Sequence, residues 1–157
     1  MGVVGGTGLY SSTSFTRPND TTAYGAADVV GGPLEFPLFS TRSRGVLITG
    51  AQLMIEANAL IASEAGYSLY LYSVTPPSAL ADNAAWDIPS GDRDSYLGSL
   101  SLGTPTDLGS TLVAQINAQD LPVQTQGSSI FAYLVTAAGF TPTASRVHRL
   151  KLWGIGL

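Results

Sequence analysis

The chain has 157 residues, of which 45% are hydrophobic and 11% charged, with a net charge of −4 and no cysteine; a typical domain is about 25% charged. That length fits one domain with a sizeable core, built without disulfides or thiolate chemistry. The acidic balance argues against a nucleic-acid partner, and no apolar run is long enough to span a membrane.

In chain order, residues 1–15 are dense in Gly, Ser and Thr and are expected to form a flexible arm, with a single domain over 16–157. Pro18 and Asn19-Asp20 mark a turn. Ala27–Val30 reads as a short strand ending at Gly31-Gly32-Pro33. Arg44–Asn58 is a strand with a bulge or bend expected at Gly50. Tyr67–Val74 alternates, with Tyr67, Leu69 and Leu71 on one face and Tyr70, Tyr72 and Val74 on the other. Small residues and Pro89-Ser90 then predict a loop and one short helix, capped by Ser90 with Asp92 and Asp94 in its first turn. Tyr96–Gly103 is a strand, and Ser110–Gln119 fits either a strand or a short helix. Ser128–Gly139 is a buried strand. Arg146–Leu157 alternates, His148, Leu150 and Leu152 facing one way and Arg149, Lys151 and Trp153 the other. About seven or eight short strands between Gly/Pro/Ser turns predict an all-β fold, an antiparallel β-sandwich of jelly-roll type with one short helix.

Few residues suggest chemistry. Gly5, Gly6 and Gly8 in MGVVGGTGLYSS resemble the N-terminal phosphate-binding turn of methylthioadenosine-type purine nucleoside phosphorylases. That turn needs a strand before it and a helix after it. Only Met1–Val4 precede the glycines and no helical period follows, so the stretch is read as part of the arm. The lone His148 cannot build a histidine metal cluster, and no G-x-S-x-G elbow accompanies it; it is read as structural. Asp82, Asp87, Asp92 and Asp94 could offer oxygen ligands to Ca²⁺. Their spacing is not that of an EF-hand and Arg93 sits among them, so capping of turns is the reading carried forward. Tyr70 and Tyr72 could stack on a sugar or pack in the core. No catalytic residues and no cofactor are expected.

The segments TRPNDTTAYGAADVVGG (Thr16–Gly32) and ADNAAWDIPSGDRDSYLGSL (Ala81–Leu100), followed by a strand-rich final third, resemble a group of small tailed-phage virion proteins. Those proteins carry an early R-P-x-D-T-x-x-Y-x-x-x-D-V motif and a central D-N-A-x-W stretch. Here Ser90-Gly91-Asp92 departs from the pattern, which places Asp directly after Ser. The resemblance implies a capsid cement or decoration protein: a non-enzymatic β-sandwich, commonly a trimer, bound to the major capsid protein on the outside of the virion. Low charge and high apolarity fit such a role. Arg17, Arg42 and Arg44 are then the expected contacts to capsid carboxylates, because arginine suits bidentate pairing at interfaces. The alternative is a carbohydrate- or receptor-binding module of a phage head or tail fibre.

Overall fold

A computed structural model describes residues 7–37, 39 and 45–157. Among the described residues, ten strands form two antiparallel sheets. They are β1 (Thr7–Thr16), β2 (Val29–Phe36), β3 (Gly45–Glu56), β4 (Tyr67–Tyr72), β5 (Tyr96–Gly103), β6 (Thr106–Asp107), β7 (Thr111–Ile116), β8 (Leu121–Gln124), β9 (Ile130–Thr136) and β10 (Val147–Gly156). One sheet runs β1-β10-β3-β7-β6, with β8 also paired to β3; the other runs β2-β9-β4-β5. The chain passes repeatedly from sheet to sheet, so most neighbours within a sheet are distant in sequence, the short β6–β7 hairpin and the consecutive β4–β5 pair apart. With β7 and β8 taken as one interrupted strand and the two-residue β6 set aside, this is the eight-stranded jelly-roll order.

The core forms because strands of both sheets turn one apolar face inward. Ile48, Leu53, Ile55, Leu150, Leu152 and Leu112 from the larger sheet meet Phe36, Leu69, Leu71, Leu100, Ile130 and Leu134 from the smaller one. In β3 the inward residues change parity. Val46 and Ile48 point in, and so do Ala51, Leu53 and Ile55. An unbroken strand would send one of these sets to solvent. The chain solves this with one extra residue: Trp153 pairs with Gly50 and Gly154 with Ile48, leaving Thr49 as a bulge. The second neighbour of β3 breaks at the same level, with β7 ending opposite Ala51 and β8 beginning opposite Ile48. Gln119 N–H bonds the Thr49 carbonyl across that gap at 3.0 Å. The Trp153 indole lies over Gly50, where a Cβ would come within 2.4 Å of its Nε1. The irregularity expected at Gly50 therefore falls one residue earlier, and Gly50 makes room for the indole.

Three expectations are corrected. Thr7–Thr16 is not part of a flexible arm over 1–15. It is strand β1, paired with β10 from Thr7↔Gly156 to Thr16↔Val147. The sequence hides this strand because its inward positions are Leu9, Ser11, Thr13 and Phe15, only two of them apolar. Met1–Gly6, which include Gly5 and Gly6, lie outside the described residues. The strand begun at Ala27–Val30 continues to Phe36, because Gly31 and Gly32 take positive φ (86° and 89°) and form an irregularity in the pairing with β9. The helix expected after Ser90 is a single 3-10 turn, Arg93–Ser95, whose N-cap Asp92 makes no capping bond with its side chain.

The outer face of the smaller sheet is also covered. Val29, Tyr72, Tyr133 and Val135 form a second apolar cluster beneath Leu80, Trp86 and Tyr96, in and just after the long β4–β5 connection. That connection is tied down by backbone bonds from Val29 N–H to Ala84 O at 2.8 Å and from Trp86 N–H to Ala27 O at 2.8 Å. This explains why β4 is apolar on both faces.

Candidate functional site

The residues carrying the virion-protein resemblance meet in space. Arg17, Asp20 and Tyr24 come from the first motif and Asp82 from the second. The Tyr24 hydroxyl donates to Asp82 Oδ1 at 2.6 Å, and Gly31 N–H donates to the same oxygen at 2.7 Å. Arg17 donates from Nε to the Tyr24 hydroxyl and from Nη2 to Asp20 and Asp82, both at 3.4 Å. Its Nη1 reaches the carbonyls of Asp20 and Thr143. Burial, reinforced by the bond to Asp82, pushes the Tyr24 hydroxyl pKa upward. These motif residues thus act as a clamp joining the β1–β2 turn to the β4–β5 connection.

That clamp corrects the assignment of Arg17 as a capsid contact. The residue is only 2% exposed and its guanidinium is held by internal partners, since a buried charge is tolerated only when paired and hydrogen-bonded. Arg42 and Arg44 lie outside the described residues. The four aspartates do not converge either. Asp82 belongs to the clamp. Asp92 accepts from Ser78 N–H at 2.9 Å and from the Ser78 hydroxyl. Asp87 accepts from Ile88 N–H at 2.7 Å, and Asp94 is exposed. Among the described residues no three His, Cys, Asp or Glu side chains group as a metal site. Tyr70 is stacked on Trp86 at 3.7 Å between ring centroids, and Tyr72 is buried with its hydroxyl accepting from Trp86 Nε1. Burial pushes the Tyr72 hydroxyl up to about 12. Neither ring offers a free platform for a sugar.

A second polar cluster escaped the sequence reading. Arg146 makes a two-pronged pair with Glu64, at 3.0 and 3.3 Å, and Glu64 also accepts from the Tyr67 hydroxyl and from Ile61 N–H. Beside it, His148 is 1% exposed and stacks on Phe15 with centroids 4.8 Å apart and planes within 1°. Its Nδ1 lies 3.3 Å from the Arg146 carbonyl, so the neutral ring carries its proton there. Burial, aided by the Arg146 charge, lowers the His148 pKa to about 3. Glu64 and Arg146 sit in segments with no motif, so only the fold could pair them.

The outer face of the larger sheet is different. Tyr10 pairs with Trp153, and one step on, Gly8, Ile155 and Leu47 line up across β1, β10 and β3. Tyr10, Ile155 and Leu157 are exposed to 59%, 38% and 72%. They account for three of the five exposed large hydrophobic residues among those described. Next to this apolar end lie Lys151 and Arg149, the latter paired with Glu56 at 2.8 Å on the surface.

No protein-family model matches the chain, and no curated protein matches it. Several solved structures are similar in fold. The capsid of Ralstonia phage GP4 is 16% identical, with 99% of this chain and 88% of that chain covered and a TM-score of 0.48. The native virion of Kashmir bee virus is 14% identical over 95% of this chain and 70% of that chain, with a TM-score of 0.33. A carbohydrate-binding module from glycoside hydrolase family 9 (Cel9A) of Ruminococcus flavefaciens FD-1 is 13% identical over 94% and 98%, with a TM-score of 0.37.

Proposed function

We propose that this chain is a non-enzymatic virion protein that binds the outside of a phage capsid and stabilises it. The observation that carries this reading is the exposed apolar end of the larger sheet, where Tyr10, Ile155 and Leu157 stand clear of the core. Exposed apolar surface of this kind serves contact with another macromolecule. The buried charges point the same way, since Arg17 and Arg146 are paired within the fold. They hold the scaffold and leave recognition to the surface.

A cement protein works by linkage. It binds the assembled shell more tightly than it binds free capsid subunits, and so stabilises the shell. Many copies placed by symmetry add their contacts as avidity. The partner is the major capsid protein together with further copies of this chain, a trimer being the expected oligomer because cyclic closure satisfies each subunit alike. Arg42 and Arg44 are proposed to add carboxylate pairing at the same interface.

The test is to add the purified protein to capsids that lack decoration, count bound copies by cryo-electron microscopy, and measure the temperature at which DNA is released. Saturable, symmetric occupancy with a raised release temperature is expected. Absence of binding to any tailed-phage shell tested would sink the proposal.

A further inference from the structure

β1 forms a free edge of the larger sheet, since β10 is its one paired neighbour among the described residues. Arg17 N–H donates to the Arg146 carbonyl at 2.9 Å, one step past the last β1–β10 pair and in the same register. Hydrogen-bonded pairs alternate along an antiparallel ladder. The odd-numbered residues of β1 therefore bond β10. The even-numbered ones, Gly8, Tyr10, Ser12, Ser14 and Thr16, aim N–H and C=O away from it, and all five are exposed. Among the described residues, no loop or further strand bonds these edge groups.

Free sheet edges are usually blunted by brevity, proline, charge or a bulge, because a regular edge is a template for another chain. The other edges of this fold follow that rule. β6 has two residues, one of them Asp107. β8 has four and includes Pro122. β2 carries Pro33 and breaks register between Val30 and Leu34. β5 shifts register twice against β4. β1 has none of these devices: its ten residues keep unbroken register and include no proline and no charge.

We infer that β1 pairs antiparallel with β1 of a second copy, about a two-fold axis at Ser12, and so joins two larger sheets into one. In that register Ser12 meets its own counterpart, Tyr10 meets Ser14 and Gly8 meets Thr16 across the axis. Three arguments select this occupant. The five edge residues are uncharged, so no like charges oppose one another across the axis, an arrangement that would be destabilising. Each directly opposed pair exchanges two hydrogen bonds, about ten in all, which is the number a protein interface of standard size carries. The contact is also isologous, using the same patch on both copies, and each copy has one such edge, so pairing closes at two instead of growing. A two-fold contact can link trimers as readily as single chains, and it does not depend on the capsid reading.

The experiment uses the intact protein. Light scattering from low to high micromolar concentration should give two copies, or an even multiple where a three-fold contact is made as well. Ser12→Pro removes an N–H that points away from β10, so the β1–β10 ladder is kept. Ser12→Lys sets two ammonium groups opposite each other at the axis. Each variant should halve the particle mass and raise the dissociation constant by at least about tenfold, with a melting temperature within a few degrees of wild type. The chain has no cysteine, so Ser12→Cys supplies a single thiol. Opposed Cα atoms about 5.5 Å apart lie within disulfide reach, and mild oxidation should cross-link this variant while Ser101→Cys, at an exposed position of β5, stays uncross-linked. A wild type of one or three copies overturns the inference and leaves the edge to a strand of another protein. An even-numbered particle that neither Ser12→Pro nor Ser12→Lys divides, or that Ser12→Cys fails to cross-link, places the contact elsewhere and overturns it too. Open-ended aggregation of the wild type also overturns it, because this pairing terminates at two.

Discussion

Glu64 and Arg146, 82 positions apart, form a two-pronged ion pair with side chains only 0% and 3% exposed. The pair fastens the segment before β4 to the start of β10, and the Tyr67 hydroxyl joins it. Removing one partner leaves the other charge buried and unmatched, which costs about 3–5 kcal/mol. Glu64→Gln is therefore expected to lower unfolding stability by about that amount in urea titrations. Replacing both residues, Glu64→Leu with Arg146→Met, should recover a large part of the loss. A double variant as unstable as the sum of the singles would show that the two side chains are not coupled.

His148 should make the fold acid-sensitive. Its pKa of about 3 in the folded state lies below the ordinary value of 6.5. Between those values the unfolded chain binds one proton more than the folded one. Stability is therefore complete above about pH 6.5 and falls as the pH drops, by up to about 1.4 kcal/mol per unit. The window above about pH 4.5 isolates this effect, because ordinary carboxylates are still ionised there. His148→Phe keeps a ring against Phe15 and removes the titrating group. Urea unfolding from pH 4.5 to 7 should show a flatter slope for the variant; an unchanged slope would assign the acid sensitivity elsewhere.

Strand β1 is expected to be essential. Deleting residues 2–14 removes most of the ladder on β10 and uncovers its edge. The loss should be several kcal/mol, a fall in Tm of at least about 10 °C for a chain of this size. A milder probe is Gly31→Ala. Gly31 has φ 86°, and a Cβ there would lie 2.2 Å from Phe15 Cε2. Strain and crowding together should cost about 2–4 kcal/mol. A melting temperature within a degree or two of wild type in both variants would mean that β1 contributes little.

The capsid surface can be tested without touching the core. Tyr10→Ser combined with Ile155→Ser changes two exposed side chains, so the isolated fold should move by no more than about 0.5 kcal/mol per site. Occupancy on undecorated capsids should fall by about tenfold or more if they anchor the contact. Arg42→Ala with Arg44→Ala should weaken binding in the same assay, more strongly at low salt, because charge pairing at a rim is screened. Wild-type occupancy by both double variants would move the docking surface elsewhere on the molecule.

The sequence by itself determined the fold class. Alternation in Tyr67–Val74 and Arg146–Leu157 records which side chains face a core, because a strand exposes its two faces with period two, and Gly50 within Arg44–Asn58 marks the irregularity to within one residue. It also carried the motif residues Arg17, Tyr24 and Asp82, though not their purpose. Tertiary structure alone decided three things. β1 exists because β10 offers its hydrogen-bonding edge to a stretch whose own apolar pattern is too sparse to announce a strand. Arg17 became a clamp because the β4–β5 connection folds back over the smaller sheet and brings Asp82 to it. Glu64 and Arg146 are brought together from 82 positions apart, and a one-dimensional pattern holds no record of which distant segments a jelly roll lays side by side.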